Sequence, residues 1–261
     1  MTPFYKFHGT GNDFIMIDGF STQVALTPAM ISGACDRHFG IGADGLIMLV
    51  PSELYDFEMI YYNSDGSLAS MCGNGARCAV AFFSLLHSKG SDVTFEAGDG
   101  IHNAHVELRD DYSWHVDVSM KEVCSPVKHD DVYYINTGTH HVVKFVDDVN
   151  RIKIDIEGPL LRNDPRFEPH GINVNWVSIT PGQITVRTYE KGVEAETLSC
   201  GTGVTASAII AGLLTQINEW KVETKGGMLE VTYSINKDCV TDIRLKGPAV
   251  MAFSGQTELL Y

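Results

Sequence analysis

The sequence predicts an α+β fold of two homologous domains, each a curved, mostly antiparallel sheet wrapped around a buried central helix, with a cleft between the domains. Two observations lead to this prediction. The 261-residue chain repeats a set of short motifs at an offset close to half its length. Each half also combines many short strand-like segments with one helix that is apolar almost all round, which is typical of an enclosed helix.

The clearest repeat surrounds two cysteines that lie 128 residues apart. Cys72 occurs in the segment MCGNG and Cys200 in the segment SCGTG, and a dense apolar run follows each of them. Three pairs of glycines share nearly the same offset in the same order: Gly11 with Gly138, Gly42 with Gly171, and Gly98 with Gly226. A glycine before an apolar run is common, but several such pairs at one offset indicate a duplicated half.

Short apolar or alternating runs bounded by turn residues predict the strands of both halves. These strands cover 5–7, 15–17, 46–49, 57–62, 93–95, 114–118, 185–189 and 229–233. Pro28 at a first helical position, with Thr27 as its cap, predicts a helix over 28–39. The apolar segments 76–87 and 205–214, which follow the cysteine loops, are the predicted central helices.

The boundary between the domains is predicted within 121–131, where Ser125-Pro126 and a short charged stretch interrupt the hydrophobic pattern. This boundary gives an N-terminal domain over 1–120 and a C-terminal domain over 121–248. Each domain then holds one cysteine loop. If the two domains face each other, the two loops meet at the cleft.

Composition and charge exclude several classes of protein. The 33 acidic and 19 basic residues give a net charge of −14, which disfavours a nucleic-acid partner. The chain has no run of 18 apolar residues and no signal-peptide pattern at its start, so we expect a cytoplasmic protein without a membrane partner. The six cysteines are too widely spread for a disulfide scaffold, so we expect free thiols, with structural roles for Cys35, Cys78, Cys124 and Cys239.

A cysteine between a loop and the first turn of a helix lies where unpaired amides and the helix dipole favour a thiolate. Such a sulfur can act as a nucleophile, a metal ligand or a base. Cys72 and Cys78 are six residues apart without a second pair, which does not match a zinc site, so we expect no metal. Ten histidines leave open a cysteine nucleophile with a histidine base, although this leaves the second loop without a role.

A pair of bases explains both loops. When a thiolate removes a proton from one face of a carbon and a thiol delivers one to the other face, the configuration inverts. Backbone amides at the two helix starts can hold a substrate carboxylate and bind it more strongly as the carbanion forms. Since no pyridoxal site is evident, the protein itself supplies this stabilisation and we expect no cofactor.

Four segments resemble diaminopimelate epimerases: HGTGNDF at 8–14, NSDGS at 63–67, MCGNGARC at 71–78 and ETLSCGTG at 196–203. They occur in the order of that family, and the resemblance extends over almost the whole chain. The related proline racemases resemble MCGHG at the first cysteine, where this chain has Asn74. The resemblance implies epimerisation of LL- to meso-diaminopimelate, a lysine and peptidoglycan precursor, without pyridoxal. It also implies a homodimer and a C-terminal segment, 249–261, that packs back on the first domain.

The resemblance further implies roles for individual residues. Cys72 and Cys200 are the two bases. The residues that bind substrate are Asn12, Asn63, Gly73, Asn74, Asn173, Glu190, Lys191, Gly201 and Thr202, with Thr139 and His141 as further candidates. Within this set, the asparagines at 12, 63 and 173 match those at the far end of the substrate, and the Gly-Asn and Gly-Thr pairs match the amide donors.

Three positions depart from the family pattern. Lys191 stands in place of the arginine of an E-R pair, and Thr139 stands in place of the asparagine of a G-N-P-H segment. The segment 193–197 is one residue longer than the commoner G-V-G-E-T. Lysine keeps the charge of arginine but not its planar, bidentate binding of a carboxylate.

The alternatives to diaminopimelate epimerisation are a proline racemase-like enzyme, an isomerase of the phenazine-pathway type, and a binding protein without activity.

Overall fold

The computed structural model describes residues 1–87, 90–109, 112–169, 171–237 and 239–260. It divides into two compact units. The first unit comprises Met1–Val118 and Gly247–Tyr261, and the second comprises Ser119–Lys246. Both boundaries fall two residues before the predicted ones.

Each unit is rich in strands and contains two helices among its described residues. The first unit contains β1 (Thr2–Gly9), β2 (Asn12–Asp18), α1 (Pro28–Cys35), β3 (Gly45–Val50), β4 (Phe57–Asn63), β5 (Leu68–Ala69), α2 (Gly73–His87), β6 (Asp92–Ala97), β7 (Gly100–Leu108) and β8 (Ser113–Ser119). The second contains β9 (Val123–Cys124), β10 (Val127–His129), β11 (Val132–Asn136), β12 (His140–Phe145), α3 (Ile154–Arg162), β13 (Asn173–Thr180), β14 (Gln183–Glu190), β15 (Ala195–Thr197), α4 (Gly201–Thr215), β16 (Glu219–Thr224) and β17 (Gly227–Asn236). The last strand, β18 (Cys239–Thr257), begins in the second unit and ends in the first. No helix in the described ranges is long and apolar enough to cross a membrane.

The two units share one pattern of strand pairing. In the first, β1 is antiparallel to β2, β2 is parallel to β3, and β3 is antiparallel to β4. There β4 pairs with both β5 and β6, and β6, β7 and β8 follow as an antiparallel series. The second unit repeats every step with β11 to β18. This correspondence confirms the predicted duplication and the predicted α+β class.

Each sheet encloses its central helix, as the apolar sequences predict. Every residue of α2 from Gly73 to Phe83 is buried, and this helix packs against β1, β2, β3, β4 and β7. Every residue of α4 from Gly201 to Gly212 is buried, and this helix packs against strands β11 to β14, β16 and β17. Both helices begin earlier than predicted, at the residue after the cysteine, so each sulfur directly precedes a helix.

Three local features differ from the prediction. Helix α1 has the predicted cap at Thr27 but ends at Cys35, because the next residue, Asp36, is extended and its carboxylate accepts two following amides. The predicted linker at 121–131 contains β9 and β10, which belong to the second unit. Helix α3 was not predicted because Gly158 and a proline lie within it; a side chain at Gly158 would come within 2.4 Å of the Tyr189 ring.

The expectation that all cysteines are free thiols is wrong for one pair. Cys124 and Cys239 form a disulfide. They lie 115 residues apart in the chain and become neighbours because β9 pairs antiparallel with the start of β18, which sets them opposite each other. The strand register brings the two cysteines together, and their spacing in the sequence does not predict this register. The cysteines at 35, 72, 78 and 200 are free.

Candidate active site

Cys72 occupies the N-terminal end of the buried helix α2. Its carbonyl accepts the amide of Ala76 at 2.7 Å, and the Gly75 amide donates to its Sγ at 3.4 Å. These are the contacts of an N-cap residue, with sulfur in place of the usual capping oxygen. Because the helix dipole and unpaired amides favour negative charge there, the position suits a thiolate.

Asn12, at the start of β2, is oriented toward this sulfur. Its Nδ2 donates to the Asp44 carboxylate at 2.8 Å. Its Oδ1 accepts the side-chain amide of Asn74 at 3.2 Å and, when Cys72 carries its hydrogen, accepts from Cys72 Sγ at 3.6 Å. Since the amide nitrogen is committed to a carboxylate, the carbonyl oxygen faces the cysteine. The structure thus brings Asn12, Asn74 and Cys72 together in the first unit.

A cluster of ion pairs supports the β1–β2 turn that carries Asn12. Asp13 pairs with Lys6 at 2.7 Å and with Arg37 at 2.8 Å, and Arg37 also binds Asp44 at 2.6 Å. Burial alone would raise the pKa of Asp13, but the hydrogen bonds from Arg37 and Lys6 outweigh it and hold this pKa well below its usual range. The charges of this cluster therefore compensate one another.

Asn63 lies at the exposed end of β4. Its Nδ2 donates to Ser67 Oγ and its Oδ1 accepts from Tyr61 Oη, both at 3.1 Å. Its carbonyl accepts the Gly66 amide at 2.9 Å. These bonds hold the turn after β4, and none of them reaches Cys72. The role of Asn63 toward a substrate stays a prediction.

Cys200 occupies the equivalent place in the second unit, before α4. Its carbonyl accepts the amide of Val204 at 2.8 Å, and its Sγ lies 3.5 Å from Thr202 Oγ1. Burial raises the pKa of Cys200 well above its ordinary value, and the carboxylate of Glu190, through its charge and a hydrogen bond, raises it further. These effects favour the thiol form of Cys200 over the thiolate.

A buried histidine adjoins the Cys200 loop. His141 Nδ1 lies 3.1 Å from the amide nitrogen of Asn175, so Nδ1 accepts and Nε2 carries the hydrogen. Nε2 lies 2.8 Å from Thr139 Oγ1 and 3.0 Å from Thr202 Oγ1. Burial lowers the pKa of His141 to about 3, so the ring is neutral. Through Thr202, this neutral ring positions the hydroxyl beside Cys200.

Asn175 belongs to this network although the sequence analysis did not single it out. Its Oδ1 accepts from Thr188 Oγ1 at 2.9 Å, and its Nδ2 donates to the Val142 carbonyl at 3.0 Å, which fixes the orientation of the amide. The signal that could have found it is the N-V-N pattern of β13, because residues two apart share a face of a strand. Asn173 and Asn175 thus lie on the same face.

Asn173 fixes the turn that follows β14. Its Oδ1 accepts the backbone amide of Lys191 at 2.9 Å, and its Nδ2 donates to the His140 carbonyl at 3.2 Å. The same Nδ2 lies 3.4 Å from Thr139 Oγ1. Glu190 is the last residue of β14, so Asn173 also determines where this carboxylate lies. The structure therefore joins Thr139, Asn173, Glu190 and Lys191 within the second unit.

The neutral burial of His141 makes stability depend on acid. Because its pKa is about 3 when folded, against an ordinary 6.5, the unfolded chain binds more protons between these values. The contribution of the neutral His141 ring to the free energy of unfolding is therefore complete above pH 6.5 and is lost as the pH falls toward 3. Between pH 7 and pH 5, the unfolding free energy of both proteins should decrease. We expect this decrease to be about 2 kcal/mol smaller in His141→Gln than in the wild type.

Urea unfolding at the two pH values measures this difference. The matched control is His38→Gln, which makes the same replacement at an exposed histidine outside this network. An acid dependence that is the same in His141→Gln and in the wild type would contradict the neutral state of the buried ring.

Known proteins resemble this chain along most of its length. The sequence profile of the family described as diaminopimelate epimerase matches residues 4–123 and 133–251. The diaminopimelate epimerase of Flavobacterium psychrophilum is 44% identical over 256 residues, covering 95% of this chain and 97% of that protein. The diaminopimelate epimerase of Chlorobaculum tepidum is 35% identical over 256 residues, covering 96% and 99%.

Solved structures with low identity share the fold. A hydroxyproline epimerase from Agrobacterium vitis, with bound trans-4-hydroxy-L-proline, has a TM-score of 0.70 at 13% identity and covers 98% of this chain and 90% of its own. A phenazine biosynthesis protein from Bacillus anthracis has a TM-score of 0.70 at 15% identity and covers 98% of both chains. The family itself follows from the sequence matches over both halves: the chain belongs to the diaminopimelate epimerase family.

Proposed function

We propose that the protein converts LL-diaminopimelate to meso-diaminopimelate by exchanging the proton of one α-carbon between Cys72 and Cys200. One observation carries the proposal: each of two homologous units places a cysteine that is not disulfide-bonded directly before its buried central helix. Membership of the diaminopimelate epimerase family supports the identity of the substrate. The protein is on this basis an isomerase.

The proposed step balances without a redox partner. A thiolate takes the α-proton and becomes a thiol, while the electron pair of the broken C–H bond stays on the carbon and spreads into the substrate carboxylate. The second thiol gives its proton to the opposite face of the carbon and becomes the thiolate. After one turnover the two sulfurs have exchanged roles, and a solvent proton exchange restores the starting state.

Backbone amides at the two helix starts would stabilise the carbanion. The first amides of a helix have no acceptor within the helix. We assign Gly73 and Asn74 of α2, and Gly201 and Thr202 of α4, as donors to the carboxylate at the reacting carbon. Negative charge grows on this carboxylate as the proton leaves, so the amides bind the transition state more tightly than the substrate.

The far end of diaminopimelate is a second amino acid with an ammonium and a carboxylate group. We assign to it Asn12, Asn63 and Asn173, which offer both donors and acceptors, and Lys191, which offers a cation. We assign Glu190 instead to the second cysteine, because its carboxylate raises the pKa of Cys200 and so favours the thiol. Thr139 and His141 act by positioning the Thr202 hydroxyl.

We also propose that the protein forms a homodimer and that it works in the cytoplasm. The family resemblance supports the homodimer. The cytoplasmic location rests on the proposed chemistry alone, since a thiolate and thiol pair needs both Cys72 and Cys200 reduced; the disulfide of Cys124 and Cys239 does not add to this support.

Turnover in heavy water tests the function. We expect LL-diaminopimelate to yield meso-diaminopimelate that carries one deuterium at the inverted carbon, with the remaining substrate unlabelled at early conversion, because the donor thiol has exchanged with solvent. Chiral chromatography with mass spectrometry measures both. Proline and glutamate are the control substrates. Labelling of proline but not of diaminopimelate, or tight binding without exchange, would contradict the proposal.

A further inference from the structure

Arg77, in the second turn of α2, is a fully buried cation. Its guanidinium donates to the carbonyls of Gly73 at 3.2 Å and Pro248 at 3.4 Å, to Thr10 Oγ1 at 3.4 Å, and to Asn74 Oδ1 at 3.0 Å. All four acceptors are uncharged. Buried arginines are normally paired with a carboxylate, and in the described part of the chain none forms an ion pair with Arg77.

This cation is charged at neutral pH. Burial lowers the pKa of Arg77 only to about 10, and attraction to the sulfurs of Cys78 and Cys72 opposes the decrease. The Cys78 thiol is itself fully buried, and burial raises its pKa far above the ordinary value, so it stays neutral. Of these two sulfurs, therefore, only Cys72 can become a thiolate that compensates the positive charge of Arg77.

Arg77 also orders the side chains next to that sulfur. Because the guanidinium occupies Asn74 Oδ1, the Nδ2 of Asn74 turns toward Asn12 Oδ1 and donates to it at 3.2 Å. The chain leaves room for this arrangement at Gly9. A side chain there would begin 3.1 Å from Arg77 Nη2 and 3.0 Å from the Asn74 carbonyl.

The second unit lacks this charge. The 128-residue offset pairs Arg77 with Thr205, whose hydroxyl donates to the carbonyl of the first residue of α4 at 2.9 Å, as Arg77 does in α2. The contact is repeated but the cation is not. The charged group that acts on Cys200 is the carboxylate of Glu190, which favours the thiol. Of these two charges, the positive one of Arg77 acts on the Cys72 sulfur and the negative one of Glu190 acts on the Cys200 sulfur.

We propose that Arg77 is a positioning residue that holds a permanent positive charge behind the Cys72 loop, so that in the resting enzyme Cys72 is the thiolate and Cys200 is the thiol. This deepens the proposed function, on which the use of the thiolate as a base rests. Of the other charged groups on β1 and β2, Asp13 is paired with both Lys6 and Arg37. Strand β18 contributes only the Pro248 carbonyl to the guanidinium.

Alkylation by iodoacetamide across a pH series tests the proposal on the full chain without substrate. Mass spectrometry of the two peptides gives the pH of half-maximal reactivity for Cys72 and Cys200. We expect Cys72 to react at lower pH than Cys200 in the wild type. Arg77→Met should move the Cys72 profile upward by about one pH unit or more. Arg77→Lys keeps the charge and should therefore show the wild-type Cys72 profile. The Cys200 profile should stay unchanged in both variants.

Three results would overturn the proposal: an unchanged Cys72 profile in Arg77→Met, an equal upward shift in Arg77→Lys, or a wild type in which Cys200 reacts first. The third needs no variant and remains decisive if Arg77→Met does not fold, which circular dichroism reports. Epimerisation is measured separately. An Arg77-dependent profile without epimerisation would refute the proposed function alone, whereas epimerisation with an unchanged profile would refute the role of Arg77 alone.

Discussion

Replacement of either Cys72 or Cys200 by alanine should lower kcat for diaminopimelate epimerisation by about 10³-fold or more. With one sulfur missing, the α-proton can leave from one face or arrive at the other, but both events cannot follow each other. A nucleophile assisted by a histidine would instead depend on a single cysteine. Wild-type activity in either variant would therefore exclude the pair of bases.

The two variants should differ in a second measurement. In Cys200→Ala the remaining Cys72 is the thiolate, so slow exchange of the α-proton with heavy water should continue with retention of configuration. In Cys72→Ala the remaining sulfur rests as a thiol, and exchange should be lost. The control is Cys35→Ala, which removes a buried thiol outside both loops and should leave turnover intact. Equal exchange in the two variants would contradict the assigned resting state.

Gly203→Ala should disable the second loop and destabilise the protein. A side chain at Gly203 would begin 2.4 Å from Asn175 Oδ1 and 3.3 Å from His141 Cε1. Both neighbours are fully buried and hydrogen-bonded, so neither can yield without breaking the bonds that position Thr202. We expect a loss of about 2 kcal/mol or more in unfolding free energy, together with a large loss of kcat.

The duplicated fold supplies a matched control for this variant. Gly75 occupies the equivalent position in the first unit, where an added side chain would meet mainly Ile47 Cδ1, the end of a flexible side chain, at 2.8 Å. Gly75→Ala should therefore cost less stability. Gly33→Ala, in α1 with no atom within 4 Å of the new side chain, should be neutral or slightly stabilising. Urea midpoints that do not follow this order would contradict the packing described around Asn175.

The sequence predicts most of the secondary structure because strands and helices follow from local hydrophobic patterns, and because the same motifs occur in both halves of the chain. The 2-residue and 3.6-residue hydrophobic periods predict the strands and the two central helices, and the offset between Cys72 and Cys200 predicts the duplication. Features that depend on distant pairing could not be found in this way. The disulfide of Cys124 and Cys239 exists because of a strand register, and β18 is one strand although Pro248 lies within it.

The same limit applies to the site. The cysteines and their glycines are visible because a helix start imposes a local pattern. Arg77 and Asn175 act through buried contacts with residues far away in the chain, such as Thr10 for the first and His141 for the second. Arg77 follows Cys72 within an apolar helix, and its sequence position does not reveal that no carboxylate in the described part of the chain pairs with it.

A crystal structure with a bound, unreactive analogue of diaminopimelate is the most direct measurement of the proposed chemistry. The distances from Cys72 Sγ and Cys200 Sγ to the α-carbon decide the matter. We expect the two sulfurs on opposite faces of this carbon, each about 3.5 Å from it. A complex in which only one sulfur lies within reach, or in which both lie on the same face, would contradict epimerisation by two bases.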